Sequence, residues 1–152
     1  MIFLLGILTD AFFIALLTWC TFTDIWKRII PNLAIVLLLC LGGVHLALAV
    51  MSGGTCWLYP AGLLLSIPFF IAWLKSGMGG GDVKLVVAIG FYLGLWCIFL
   101  AFALMLPVFA VLYAVLKCRH RTTKHRIPLA PVIAIGSVGV VVAGYLYRHV
   151  VF

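Results

Sequence analysis

Glutamate is absent from this chain, and only three aspartates occur in its 152 residues: Asp10, Asp24 and Asp82. Any chemistry that needs carboxylates draws on these three. Charge of either sign is scarce, at 9% of residues, where a soluble domain carries about a quarter. That scarcity excludes a water-soluble domain. The five cysteines, at 20, 40, 56, 97 and 118, include no CxxC spacing, so neither a disulfide framework nor a tetrathiolate zinc site is supported, and no metal or cofactor is expected. Residues 2–22 have no basic segment ahead of them and no small-residue cleavage site, so they read as a retained helix rather than a signal peptide.

What is there is apolar: 67% hydrophobic residues and a mean hydropathy of +1.36. Long apolar stretches follow one another with short polar joints, the pattern of an all-α integral membrane protein, read here as one transmembrane domain over 1–152. The net charge of +7 does not point to nucleic acid. The basic residues sit at the ends of apolar segments (Lys27, Arg28, Lys75, Lys84 and the Lys117–Arg126 run), where positive charge sets membrane orientation and attracts anionic lipid.

Taking basic ends as cytoplasmic gives a topology. Residues 2–22 cross inward and end at Trp26-Lys27-Arg28. Residues 33–51 return outward to the uncharged turn Ser52-Gly53-Gly54. Residues 56–74 come back in, with a kink expected at Pro68. The apolar run after Asp82 exceeds 30 residues; two short helices, 83–97 and 99–116, keep the next basic loop inside, with a tight turn near Trp96 and Cys97. Gly90 and Gly94 form a GxxxG spacing suited to close packing. Pro128 and Pro131 open a last helix over about 129–147. The expectation is a polytopic bundle of about six transmembrane helices, with both termini outside.

This topology makes no use of the acids, yet it places Asp24 at the cytoplasmic end of the first helix and Asp82 at the cytoplasmic start of the fourth. Two carboxylates at one depth are equipped for acid–base work on a water and a carbonyl. The glycines before Asp82 let a backbone approach an extended substrate closely. The competing reading is an ion pair at each helix end, Asp24 with Lys27 and Arg28, Asp82 with Lys84. Composition and topology go no further than a membrane protein with an acid pair.

Three stretches resemble the type IV prepilin peptidases, membrane aspartic proteases with a GxGD motif. They are Asp24 through Ile30-Pro31-Asn32, then Gly79-Gly80-Gly81-Asp82-Val83-Lys84-Leu85, and finally Ile127-Pro128-Leu129-Ala130-Pro131 followed by Ile135-Gly136. The resemblance implies that Asp24 and Asp82 are the catalytic pair. It suggests that Gly79, Gly81, Lys84, Pro31, Asn32, Pro128 and Pro131 position or bind substrate. It also implies cleavage of the basic leader of prepilins or pseudopilins at the cytoplasmic face of a bacterial inner membrane, in type IV pilus or secretion systems. The region with paired CxxC motifs, linked in larger members to N-methylation, has no counterpart here, so the expected form is peptidase-only. The alternatives are a non-enzymatic assembly or transport subunit, and a GxGD protease that cuts within membrane helices.

Asp10 lies outside these motifs. It stands roughly 21 Å along its helix from Asp24 at 1.5 Å per residue, too far to join the pair. An intramembrane acid needs a partner, and His45 falls at nearly the same depth, so a structural Asp10–His45 contact is expected.

Overall fold

The computed structural model describes residues 2–53, 57–75, 79–119 and 129–151. Among these every regular element is helical. The chain runs through α1 (Ile2–Lys27), α2 (Asn32–Met51), a short α3 (Leu58–Ala61), a 3-10 stretch (Gly62–Ser66), α4 (Ile67–Leu74), α5 (Gly80–Arg119) and α6 (Ala130–Val151). Three helical stretches are long and apolar enough to cross a membrane: Leu4–Lys27, Asn32–Met51 and Gly80–Val111. Leu58–Leu74 and Ala130–Tyr145 are apolar but shorter. Six full spans are therefore not what length and hydropathy identify. Of the basic loop expected over 117–127, the first three residues continue α5 and the rest lie outside the described residues, as does Pro128.

Hydropathy marks no inner face here, because the helices are apolar all round. Packing decides instead. On α1 the buried residues are Thr9, Phe13, Leu17, Cys20 and Asp24, a stripe repeating every three to four residues. On α5 the stripe runs through Leu85, Val86, Ile89 and Tyr92. With Ala34, Ile35 and Leu38 of α2 and Val132 and Ile133 of α6 these form the core. Outward residues are large and hydrophobic too, among them Leu4, Phe12, Leu33, Val36, Leu100 and Leu106. Such a surface suits lipid and not water.

The turn expected near Trp96 and Cys97 lies at Gly94 instead. Helical geometry fails there, with φ 76° and ψ 174°, a conformation reserved for glycine. A methyl group placed on Gly90 would sit 3.2 Å from Ile98 Cδ1. Eight residues of straight helix separate their Cα atoms by about 12 Å, so the chain beyond Gly94 folds back on the turn before it. Phe102 of the returning arm meets Phe69 of α4, with ring centroids 5.0 Å apart. The expected close packing at Gly90 is present, against the backbone of Gly62 and with no room for a side chain on either residue. Pro68 gives no simple kink. It stands in the first turn of α4, directly after the 3-10 stretch. Lacking an N–H, it cannot bond the carbonyl four residues earlier, and the chain tightens there instead.

Candidate functional site

Asp24 occupies the last turn of α1 and continues its buried stripe by one step, so its carboxyl faces the bundle. The helix closes just after it. Arg28 N–H donates to the Asp24 carbonyl at 3.0 Å, and Arg28 takes the left-handed conformation, φ 53°, that ends many helices. Ile29 and Ile30 cross to Pro31, which caps the start of α2 in an extended conformation. Pro31 has no N–H to leave unpaired there. Its carbonyl accepts the N–H groups of Ala34 and Ile35 at 3.1 and 3.4 Å.

Asp82 stands in the first turn of α5, one step before Leu85 on the buried stripe. Its N–H donates to Gly79 O at 3.2 Å, and its carboxylate accepts the Gly79 N–H. A methyl group on Gly79 would lie 3.0 Å from Asp82 Oδ2, so the glycine keeps the acid uncrowded. The other two glycines are contact points. Gly80 faces the Trp73 indole, at 3.2 Å from Nε1 for an added methyl, and Gly81 faces Ile30, at 3.4 Å from its Cβ.

Three separate stretches of chain meet here. Gly81 on Ile30 joins the second to the first. Lys84 Nζ donates to Asn32 Oδ1 at 3.3 Å across the same seam. Ala130 N–H, at the start of α6, donates to Asp24 Oδ2 at 3.3 Å and brings in the third, with Pro131 beside it in the first turn of α6. The N-terminus of a helix, with its unpaired N–H groups and positive dipole end, suits a carboxylate. The Arg28 charge is close enough to act on Asp24, and the Asp24 charge close enough to act on Asp82. The two acids therefore share one electrostatic environment. Lys84 does not serve as the ion-pair partner expected of it in the competing reading; its ammonium is on Asn32, at the exposed rim.

Asp10 has a different setting. Tyr92 and Tyr145 donate their hydroxyls to Asp10 Oδ1 and Oδ2, each at 2.5 Å. His45, the partner expected from depth, lines one cavity together with Asp10, but its ring packs on Tyr92, with centroids 4.7 Å apart, and its buried Nδ1 has no hydrogen-bond partner among the described residues. Tyrosines at the end of an apolar run signal an interface anchor, so Tyr145 gave no hint of this role in sequence. Tyr92 sits mid-run, and its distance from Asp82 was the only cue to the depth it shares with Asp10. The Ala130 amide was equally hidden, because a backbone donor has no residue signature. Among the described residues no cluster of three or more His, Cys, Asp or Glu is placed to hold a metal.

Comparison with known proteins takes in the first two of the three stretches. The model of the type IV leader peptidase family matches residues 11–117. The chain is 34% identical, over 137 residues, to a prepilin leader peptidase/N-methyltransferase of Bacillus subtilis (strain 168); the match takes in 89% of this chain and 54% of that protein. The chain thus spans about half the length of the curated relative it matches. No solved structure matches.

Proposed function

Since this chain belongs to the type IV leader peptidase family, we propose that it is a membrane aspartic endopeptidase that removes the leader of prepilin-like substrates, with Asp24 and Asp82 as its catalytic pair. The supporting observation is that the two acids end up on inward faces at neighbouring helix ends, tied together through Gly81–Ile30, Lys84–Asn32 and Ala130–Asp24. In the reaction a water between the carboxyls loses a proton to the ionised acid and attacks the scissile carbonyl. The protonated acid hydrogen-bonds the carbonyl oxygen as charge builds there, and a proton then passes to the leaving amine. The Ala130 N–H holds the Asp24 carboxyl in place beside Asp82 and leaves its other oxygen to the water. Gly79 and Gly81, with no side chains, leave room for a substrate strand. Asn32, Pro31 and Pro131 shape the walls beside the pair, and Lys84 at the rim meets whatever part of the substrate lies nearest the headgroups.

The finer reading follows the charges. Lys27, Arg28, Lys75 and Lys84 gather at the end that carries the pair, which supports a site at the cytoplasmic face of a bacterial inner membrane. Six crossings follow if the chain reverses at Gly94 and if Leu58–Leu74 and Ala130–Tyr145 cross as short helices with local thinning of the bilayer. The domain is one peptidase unit. No methyl transfer is assigned to these residues, whose cysteines lack CxxC spacing. Substrates are prepilins or pseudopilins of a pilus or secretion system.

The test is co-expression with a prepilin from the same locus, following leader removal by gel mobility and by mass spectrometry of the new N-terminus. Wild type processes it. Asp24→Asn and Asp82→Asn, present in membranes at wild-type level, leave it uncut. Normal processing by either variant would falsify the mechanism. Processing lost only with a substrate of another class would return the site to a protease of different specificity.

A further inference from the structure

Asp82 follows three consecutive glycines, the residue type that gives up the most conformational freedom when it is fixed. Its two bonds to Gly79, N–H to carbonyl and carboxylate to N–H, lie within that run and move with it. The run must be fixed to the rest of the fold from outside. Besides the exposed Lys84–Asn32 bond at the rim, contacts on Gly81 and Gly80 do this. Gly81 rests on Ile30, whose Cβ, Cγ1 and Cδ1 lie within 3.5 Å of where a methyl group would stand, and Ile30 belongs to the core. Gly80 rests on Trp73, whose Nε1, Cε2 and Cδ1 lie 3.2, 3.8 and 3.9 Å from the corresponding point. Successive residues of a helix point about 100° apart, so the two contacts grip the run from different directions. Their carriers differ as well. Ile30 joins α1 to α2, whereas Trp73 stands near the end of α4, every residue of which keeps part of its surface open. Trp73 itself is 42% exposed. Its helix is tied to the returning arm of α5 by Phe69 on Phe102, and its ring is steadied by Phe70, with centroids 5.4 Å apart. An aromatic so little buried adds little to the core, yet its edge meets the run that carries a catalytic acid.

We propose that Trp73 is a positioning residue of the peptidase: its indole holds Gly80, and with it the glycine run, against Ile30, and so sets the reach of Asp82 toward Asp24. The role rests on the assignment of these two acids as the catalytic pair. Trp73 acts through the backbone of Gly80 and takes no part in the proton transfers. Glycine at 80 is what admits the ring. A methyl group there would stand 3.2 Å from the ring nitrogen, closer than such atoms settle, so the indole or the run would have to shift. Misplacing a reacting group by about 1 Å can slow a reaction by about a hundredfold. Substrate contacts elsewhere are untouched by such a shift, so the role shows in kcat rather than in KM. It also shows in the pH profile. A mechanism with one acid ionised and the other protonated gives a bell-shaped profile, whose width grows with the interaction between the two carboxyls. A run released from Trp73 lets Asp82 swing from Asp24, and the bell narrows. Arg28 and Lys84, the cations beside the pair, stay in place in every variant used below.

The experiment uses the full chain in nanodiscs with a prepilin from the same locus. Leader removal across a range of pH gives kcat, KM and the width of the bell. Hydrogen exchange at the amides of residues 79–85, read by mass spectrometry, measures the hold on the run without reference to activity. Trp73→Ala should speed that exchange by about tenfold. It should lower kcat by about tenfold to a hundredfold, leave KM within about threefold, and narrow the bell. Trp73→Phe, which keeps a ring, should recover most of both the protection and kcat. Gly80→Ala should lower kcat when Trp73 is present and add nothing to Trp73→Ala, because the ring it would crowd is gone. Should Trp73→Ala fail to fold, Trp73→Phe, Gly80→Ala and their combination carry the same comparison. The proposal is overturned if exchange over 79–85 is unchanged in Trp73→Ala, if exchange quickens while kcat stays at the wild-type value, or if the effects of Gly80→Ala and Trp73→Ala simply add. Failure of the wild type itself to process the prepilin sinks the peptidase reading, and the positioning role falls with it. An active wild type whose Trp73 variants match it sinks the positioning role alone.

Discussion

The bundle of α1, α5 and α6 holds aspartates near both of its ends, Asp10 at one and Asp24 and Asp82 at the other, and the two ends treat them oppositely. Near one end Asp10 has both carboxyl oxygens engaged by tyrosine hydroxyls from α5 and α6. At the other, Asp24 and Asp82 each accept a backbone N–H, from Ala130 and Gly79, with glycines around Asp82 and each acid's charge within reach of other charges. Side-chain donors that converge from two helices fasten those helices together. Backbone donors at helix termini hold a carboxyl in place while its remaining lone pairs stay available to a water or a substrate. An acid in a membrane protein is therefore better judged by what satisfies it than by its depth.

That contrast breaks if removing charge at either end has the same effect. The largest expected change is at the pair: Asp24→Asn or Asp82→Asn lowers leader processing by at least about a thousandfold, as expected for loss of a general acid or base together with its charge. Their unfolding midpoints stay within a few degrees of wild type, as a calorimetric scan or a fluorescence melt will show. Next comes a purely steric change, Gly62→Val, which drives a side chain into the backbone of Gly90. It should cost about 3 kcal/mol or more as overpacking, read as a lowered midpoint or as loss of folded protein from membranes. At the fastened end Tyr92→Phe leaves one Asp10 oxygen without its donor and should cost about 1–3 kcal/mol of stability; an unchanged midpoint would show that the tyrosines do not fasten the helices. Gly94→Ala should cost about 1–3 kcal/mol, because alanine is strained at φ 76°. Lys84→Ala sharpens the contrast from the other side. Its bond to Asn32 is exposed, so stability should move by no more than about 0.5 kcal/mol.

Part of this was legible in the sequence. Scarcity of acids singled out Asp24 and Asp82, and the basic and aromatic residues next to them placed both at helix ends. The Ile-Pro-Asn and Pro-x-Ala-Pro stretches announced which other segments belong with them, and the structure brings Ile30, Asn32 and Ala130 to the two acids. What stayed hidden has a common cause. In a chain apolar on all sides, no hydrophobic period tells which face of α1 or α5 turns inward, so Phe13, Leu17 and Cys20 look no different from the outward Phe12 and Phe22. The reversal in α5 was expected from the charge balance, but Trp96 drew it two residues past its place. Whether Gly90 or Gly94 takes the positive φ depends on where Gly62 packs, which is a tertiary matter. Pairing Asp10 with His45 by depth found the right neighbourhood, yet the hydroxyls of Tyr92 and Tyr145 take both carboxyl oxygens. Depth alone does not distinguish an imidazole from a phenol that reaches the same point from another helix.

The bond from the Ala130 N–H to Asp24 has a consequence for how this site tolerates change. A contact made by a side chain is lost when its codon drifts, whereas this one belongs to the peptide unit and survives almost any replacement at position 130. Proline is the exception, since it has no N–H to give. The site of Ala130 is fully enclosed, so bulk is limited there for packing reasons, but the electrostatic hold on Asp24 is not at stake in a change to glycine or serine. Mutational scanning at 130 should therefore separate two kinds of damage: large residues that cost folded protein, and proline, which leaves the acid without its donor.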